Sequence, residues 1–257
     1  MKVVSTTCSN TEIISALGCS DNLIAVDDYS DFPPTVVENL PRVGPDLGID
    51  VKAVAALKPD LVLASLTVPG HEKVVDALRA EGLAVIAPRT IGLDDVYEDI
   101  RLIARHLSAA DRAEILIQQM KNDMPKRPTG ASAPTLMVQW WPKPVIAAAR
   151  DSWIHDLIEL AGGKPALQNT NERSLPLEDD DPRLKNCDGW VISWCGVKLE
   201  KYRHEVLYDR PALAHCRAIN RKQLYSISEE FLGRPSPRLV EGYRQLAAVI
   251  DQLKQRT

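Results

Sequence analysis

The stretch Lys58–Pro88, "KPDLVLASLTVPGHEKVVDALRAEGLAVIAP", contains two apolar runs separated by a helical pattern. The apolar run "LVLASL" is followed by "HEKVVDALRA", where apolar residues recur at helical spacing, and then by a second apolar run, "LAVIAP". This order favours two neighbouring parallel strands, because a parallel pair needs a long crossover connection that is usually a helix. We therefore predict an α/β fold.

The same order recurs on both sides of this stretch. Before it, "KVVSTT" and "NLIAVDD" are typical of strands, and "SNTEIISALG", which Ser9 or Asn10 can cap, and "VKAVAALKP" are typical of helices. In the second half, "TLMVQWW", "GWVISW" and "QLYSIS" indicate strands, while "SWIHDLIELAGG" and "VKLEKYRHEVLY" indicate helices. We predict a central parallel sheet in each half, covered by helices.

One match between the halves is sharper than the rest. Asp60 opens "DLVLASLTVPGHE" and Asp188 opens "DGWVISWCGVKLE". In each segment a glutamate, Glu72 or Glu200, follows the aspartate by twelve residues and starts the next predicted helix. The matching order of elements around these segments favours an internal duplication, and hence two Rossmann-like lobes.

Two helical patterns lie between the halves. The first covers Leu93 to Leu107, and the second is a segment that Ser108 can cap. The Pro- and Gly-containing stretch from Pro125 to Pro134 then marks a boundary. We predict an N-terminal lobe at residues 1–107, a connecting helix at 108–128 that is long and rigid, and a C-terminal lobe at 129–257. Ligands of open α/β sheets bind beyond the carboxyl ends of the strands, so we expect a ligand cleft between the lobes.

Composition excludes several classes of function. The net charge is −4 and the pI about 5.8, without a basic cluster, so neither nucleic acid nor an anionic membrane is an expected partner. The apolar runs are of strand length, far below the roughly 20 residues of a membrane span. Five cysteines without a Cys-x-x-Cys pair argue against a disulfide framework and a zinc site. Catalytic motifs such as Gly-x-Ser-x-Gly and the Walker loop are absent, so we do not expect an enzyme. We also expect a monomer.

The compartment stays open at this stage. The N-terminal "MKVVSTTCSNTEII" has no signal-peptide pattern and reads directly into a strand and a helix. The expectation is a cytoplasmic protein if the chain starts at Met1, and a periplasmic or other extracytoplasmic protein if a leader has been removed.

Over its whole length the chain resembles the cobalamin- and siderophore-binding proteins of ABC importers. The resemblance lies in "SNTEIISALG", "VDDYSDFPP", "LPRVG", "ALKPDLVLAS", "DLIELAGGK" and "GRPSPRLVEGYRQLA". "DYSDFPP" and the "SPR" segment are most similar to the cobalamin-binding branch. The resemblance implies two lobes joined by one rigid helix and non-catalytic binding of a corrinoid, above all cobalamin, without a further cofactor. The ligand is bound either for uptake through an ABC permease or for handling inside the cell.

Aromatic residues are the main candidates for ligand contact, because rigid aromatic faces suit a large flat macrocycle. All five tryptophans lie in the second half, at positions 140 to 194. The resemblance implies that Tyr29 packs on the corrin and that Trp140 and Phe231 supply further aromatic contacts, whereas Ser65 stands where a relative carries tryptophan. The predicted ligand-binding residues are Ser9, Asn10, Tyr29, Ser65, Trp140, Trp141, Trp194, Phe231 and Arg234. The resemblance also assigns Glu72, and through the repeat Glu200, to docking on a permease.

Two alternatives remain at this point. A ferric siderophore or haem could occupy the same fold, but siderophores carry negative charge, and the predicted loops supply few cations beyond Lys143, Lys198 and Arg234. An enzyme acting on a tetrapyrrole-like substrate would use Cys195 or His71.

Overall fold

The computed structural model describes residues 1–256, which form two compact units. The first unit consists of residues 1–90 and 94–119, and the second of residues 91–93 and the chain from Met120 onward. The lobe borders at residues 107 and 128 stay a prediction. In the described part of the chain, no helix combines the length and the apolar character that a membrane crossing requires.

The first unit is built on a four-stranded sheet in which every neighbouring pair is parallel, as predicted. Its strands, in the sheet order β2-β1-β3-β4, are numbered along the chain as β1 (Val3–Ser5), β2 (Leu23–Val26), β3 (Leu61–Leu63) and β4 (Val85–Ile86). The helices up to residue 123 are α1 (Cys8–Ala16), α2 (Pro34–Val37), α3 (Val51–Ala56), α4 (His71–Ala80), α5 (Leu93–His106) and α6 (Ala110–Asp123). The central strands β1 and β3 are fully buried, which explains their continuous apolar runs.

The segment after β4 forms two helices of fourteen residues, α5 and α6, where the sequence shows two helical patterns. Ser108, predicted to cap the second of them, instead lies in the turn with a φ of 54°. The two helices are cross-linked where the guanidinium of Arg101 bonds Glu98 on its own helix and Glu114 on α6.

The second unit contains a six-stranded sheet that is mixed rather than purely parallel. The order is β10-β9-β5-β6-β8, with β7 paired to β5, and the strands are β5 (Thr135–Trp141), β6 (Val145–Ala148), β7 (Lys164–Pro165), β8 (Ser174–Leu177), β9 (Gly189–Ile192) and β10 (Leu224–Ser226). The pairs β5–β9 and β9–β10 are parallel, whereas β6 is antiparallel to both β5 and β8. Three residues join β5 to β6, and a connection this short imposes an antiparallel hairpin. The three strands predicted in this half, β5, β9 and β10, form the parallel part of the sheet as predicted, whereas the sequence does not indicate β6 or β8.

The helices of the second unit are mostly short. They are α7 (Trp153–Leu160), α8 (Glu205–Tyr208), α9 (Arg217–Asn220), α10 (Glu229–Leu232) and α11 (Leu239–Gln255). The predicted helix "VKLEKYRHEVLY" forms only a 3₁₀ turn at Leu199–Lys201 and the four-residue α8. Between them Tyr202 is extended and buried, with its ring centroid 5.3 Å from that of Trp194 and its hydroxyl donating to the Trp194 carbonyl oxygen. This tertiary contact outweighs the helical pattern.

The proposed internal repeat has a structural counterpart. In the first unit, Asp60 accepts a hydrogen bond from the N–H of Lys2 through Oδ2 (2.6 Å) and returns one from its own N–H to the Lys2 carbonyl oxygen (2.8 Å). In the second, Asp188 and Thr135 make the same reciprocal pair, at 2.9 and 2.8 Å. Each aspartate thus fixes the register of the two central parallel strands of its sheet.

Candidate functional site

The carboxyl ends of the first-unit strands carry a buried polar network below an exposed tyrosine. Asp27 follows β2 and is fully buried; its carboxylate accepts hydrogen bonds from the Ser30 hydroxyl and, at 3.0 Å, from the N–H of Tyr29. The Thr11 hydroxyl lies 2.8 Å from that of Ser30 and donates to the Ser5 hydroxyl. The loop is therefore held from beneath, and the Tyr29 side chain, 56% exposed, projects from it.

Arg42, in the quoted "LPRVG" segment, supports the same loop from the side. Its guanidinium donates to three backbone carbonyl oxygens, those of Asp27 (2.8 Å), Ser30 (2.6 Å) and Val37 (3.2 Å). Arg42 thus braces the backbone of this loop, and these donors are used inside the protein.

Four large apolar or aromatic side chains are exposed in the loops that follow β2 and β3, and together we name them the first-unit rim: Tyr29, Phe32, Leu47 and Val68. Two contacts of His71 join the segments that carry Leu47 and Val68. His71 accepts from the N–H of Val68 through Nδ1 (3.3 Å) and lies 3.2 Å from Oδ2 of Asp46 through Nε2. Sequence reasoning identified only Tyr29 in this rim, because single apolar residues in Pro- and Gly-rich loops carry no periodic signal.

Three other predicted ligand residues of the first unit are buried. Asn10 donates to the Ala64 carbonyl oxygen (2.7 Å), Ser65 bonds the Thr67 hydroxyl (2.9 Å), and the Ser9 hydroxyl lies 3.4 Å from that of Thr7. Neither Ser9 nor Asn10 caps α1, which begins at Cys8, so the predicted cap is wrong. Their side chains support the strand-end loops, and their contact with a ligand stays a prediction.

Glu72 lies in the exposed first turn of α4. Hydrogen bonds from the backbone N–H groups of Glu72 itself and of Gly70 lower the pKa of its carboxyl group. The side chain is therefore a fixed negative charge at the surface. The distance from the backbone N of Gly70 to Oε2 of Glu72 is 3.0 Å.

In the second unit, the candidate site is an aromatic hairpin, residues 135–148, made of β5, β6 and their turn. Trp140 is half-buried and Trp141 is 44% exposed. The register with β6 shifts between Gln139 and Trp141, which oppose Ala147 and Ile146, so Trp140 is the extra residue of a β-bulge. In a regular strand, successive side chains point to opposite faces of the sheet. The bulge interrupts this alternation at the tryptophan pair.

The turn of the aromatic hairpin is anchored by an arginine. Arg210 donates to the Pro142 carbonyl oxygen (2.6 Å), and its guanidinium forms a two-point ion pair with the Asp179 carboxylate. A groove of about 480 Å³ lies beside this anchor and is lined by Lys143, Pro144, Leu177, Glu178, Asp179, Asp180, Arg210 and Ala212.

The remaining tryptophans belong to the interior. Trp190 is fully buried, Trp194 is 5% exposed, and Trp153 is buried with its indole N–H bonded to the Leu232 carbonyl oxygen (2.7 Å). Trp194 was predicted to contact ligand, but in this structure its ring packs in the second-unit core. That contact stays a prediction.

The other predicted second-unit residues lie in and around α10. Phe231 is half-buried, and the guanidinium of Arg238 stacks 4.8 Å from its ring centroid. Arg234 is buried and pairs with Glu229 (3.1 Å), while Arg238 pairs with Glu230 (2.9 Å). The positive charge of Arg234 is therefore neutralised by Glu229.

Glu200 is exposed, as docking requires, but it lies in the 3₁₀ turn rather than at the start of a long helix.

Cys195 and His71, the residues named for the enzyme alternative, belong to different units. Within residues 1–256, no group of three or more His, Cys, Asp or Glu side chains could hold a metal ion, and the five cysteines form no disulfide.

Comparison with known proteins gives this geometry a context. A family model for periplasmic binding proteins matches residues 3–231. An uncharacterised ABC transporter substrate-binding lipoprotein of Bacillus subtilis, YvrC, is 26% identical over 97% of this chain and 79% of its own length. The vitamin B12-binding protein of Vibrio cholerae is 24% identical over 97% of this chain and 88% of its own. The solved periplasmic heme-binding protein RhuT from Roseiflexus sp. RS-1 has a TM-score of 0.77 at 22% identity, covering 98% of both chains.

These matches confirm the resemblance found in the sequence and the two-unit α/β fold. Members of the family bind a solute without converting it and need no cofactor, which excludes the enzyme alternative. The chain belongs to the periplasmic binding protein family and is a solute-binding protein of the kind that serves ABC importers.

Proposed function

We propose that this protein binds cobalamin or a closely related corrinoid and presents it to an ABC permease. The observation that carries the proposal is the placement of exposed apolar side chains. Large exposed apolar groups that cluster mark binding surfaces rather than ordinary protein surface. Six of the exposed ones lie at or after the carboxyl ends of strands, in both units: Tyr29, Phe32, Leu47, Val68, Trp141 and Leu199.

The charge around the first-unit rim supports a ligand without strong negative charge. Asp28, Asp31 and Asp46 lie in the same segments as the rim residues. The nearby cation, Arg42, donates its hydrogen bonds to backbone carbonyl oxygens. A carboxylate-bearing siderophore, or a haem with two propionates, would meet like charge there. A corrinoid with neutral amide side chains would instead find hydrogen-bond acceptors.

The arginines of the second unit also favour a ligand without strong negative charge. Its three arginines near the aromatic hairpin and α10, namely Arg210, Arg234 and Arg238, are each paired with a carboxylate. Paired guanidinium groups attract an anionic ligand less than unpaired ones do. The Vibrio cholerae relative, named as a vitamin B12-binding protein, supports the same ligand.

Haem is the second candidate, and one observation favours it. Tyr29 presents an exposed phenol within an apolar rim, and a tyrosine oxygen can serve as an axial ligand of haem iron. The likeness to solved haem binders shows a shared fold and does not distinguish the two ligands.

Titration of the wild-type protein and of Tyr29→Phe with cyanocobalamin and with haemin separates these ligands. If the ring of Tyr29 packs on a corrin face, the phenylalanine variant keeps cobalamin affinity within about threefold, because the apolar face is retained. If Tyr29 ligates iron, the same substitution abolishes the haem absorption signature of the complex.

We further propose that Glu72 and Glu200 dock onto basic groups of the permease. Both are exposed, and the Glu72 carboxylate is held ionised by backbone hydrogen bonds. Replacing both with glutamine removes two charges while nearly preserving shape.

We expect the double variant Glu72→Gln/Glu200→Gln to keep wild-type ligand affinity in solution and to lower uptake by the reconstituted permease about tenfold, since contact charges at an interface chiefly affect association. Glu81→Gln, an exposed glutamate just beyond the opposite end of α4, is the matched control and should transport normally. Equal uptake by the double variant and the control would remove the docking assignment.

A further inference from the structure

Gln139 occupies an unusual place in the aromatic hairpin. Its side chain is fully buried on β5, directly before the tryptophan pair. Oε1 accepts hydrogen bonds from the indole N–H groups of Trp190 (3.1 Å) and Trp194 (3.3 Å). Nε2 donates to the Trp141 carbonyl oxygen (3.0 Å). One amide therefore joins three tryptophans that come from β5, from β9 and from the loop after β9.

The bond to Trp141 crosses the β-bulge. A bulge leaves an extra residue in one strand, bends that strand and re-aims its side chains. Here the extra residue is Trp140, and Gln139 bridges from one side of it to the other. The amide thus fixes the local backbone path that sets where the rings of Trp140 and Trp141 point.

The same amide ties the bulge to the core. Trp190 and Trp194 are packed in the second-unit core, so an amide that binds both indoles cannot shift without leaving buried donors unpaired. On the other side of the pair, Arg210 holds the Pro142 carbonyl oxygen. The backbone is consequently held by Gln139 before the tryptophan pair and by Arg210 after it.

We infer that Gln139 is a positioning residue for the ligand: it holds Trp140 and Trp141 in the orientation that receives the flat face of the macrocycle. This inference rests on the proposed function. A surface that is already ordered loses little conformational freedom on binding, and affinity gains accordingly. Gln139 acts through the tryptophans and needs no contact with the ligand.

The test compares Gln139→Met with Gln223→Met. Gln223 is a buried glutamine of the same unit with a similar set of bonds: its Oε1 accepts from the Tyr225 hydroxyl and the Arg256 guanidinium, and its Nε2 donates to the Arg221 carbonyl oxygen. A merely structural effect of losing a buried amide should therefore appear in both variants.

Two readouts are taken: the indole N–H signals of the ligand-free protein in ¹H–¹⁵N spectra, and the dissociation constant for cyanocobalamin. We expect Gln139→Met to move the signals of Trp190, Trp194 and the tryptophan pair, to leave that of Trp153 in place, and to weaken binding at least tenfold. Gln223→Met should leave the indole signals and the affinity within twofold of wild type.

A second variant, Gln139→Glu, keeps an acceptor for the two core indoles and guards against loss of folding in the methionine variant. We expect it to retain the Trp190 and Trp194 signals and to bind between wild type and Gln139→Met. Wild-type affinity in Gln139→Met, or an equal loss in Gln223→Met, would overturn the inference. If the wild-type protein takes up no cobalamin, the proposed function fails, and the indole signals alone decide whether Gln139 orders the tryptophans.

Discussion

Replacing Trp140 and Trp141 together with alanine is expected to weaken cobalamin binding roughly a thousandfold. Each ring can cover about 80 Å² of apolar ligand surface, worth about 2 kcal/mol at about 25 cal/mol per Å². Two rings then supply about 4 kcal/mol, or about three powers of ten in the dissociation constant. Isothermal titration with cyanocobalamin measures the change directly.

The matched control is Ile115→Ala, which removes an exposed apolar side chain from α6, away from the strand-end loops. It should bind cobalamin like the wild type. Each single tryptophan variant should fall between the control and the double variant. A double variant that binds within threefold of wild type would mean that the aromatic hairpin does not receive the ligand.

The substitution Gly242→Ala is expected to destabilise the protein by about 3 kcal/mol, because α11 lies against the backbone of α10 without space for a methyl group. A Cβ atom at this position would lie 2.2 Å from the Phe231 carbonyl oxygen and 2.8 Å from Cδ2 of Leu232. The segment carrying Phe231 must move to admit it, so we expect weaker ligand binding as well. Thermal and denaturant unfolding measure the loss.

Gly130→Ala provides the control for this experiment, because a Cβ atom there meets no atom within 4 Å. Its free energy of unfolding should stay within about 0.5 kcal/mol of wild type. Equal stability of the two alanine variants would contradict the close approach of α11 to Phe231.

Much of the fold follows from periodicity and strand order. The apolar runs around Asp60 and Asp188 predict the central parallel strands, and the two aspartates indeed make equivalent bonds at the strand starts. The antiparallel strands β6 and β8 were missed because "VIAA" and "SLPL" are short, and Pro176 within β8 argues against a strand. Edge strands tolerate proline, but the edge position is visible only after folding.

Less of the candidate site could be predicted from the sequence. Tyr29 and Trp141, both predicted to contact the ligand, are exposed, and their contact with a ligand stays a prediction. The apolar side chains of Leu47 and Val68 gave no signal, because their exposure depends on loops that His71 joins across the fold. The role of Gln139 was hidden for a related reason: its three partners are brought together only by strand pairing.

Isothermal titration of the wild-type protein with cyanocobalamin, haemin and a carboxylate-bearing ferric siderophore decides which ligand the protein binds. The exposed rim of Tyr29, Phe32, Leu47 and Val68, its surrounding carboxylates and the paired arginines predict one-to-one binding of cobalamin, with the two anionic ligands at least a hundredfold weaker. Tight one-to-one binding of haemin or the ferric siderophore, with no heat from cobalamin, would contradict the assignment of cobalamin.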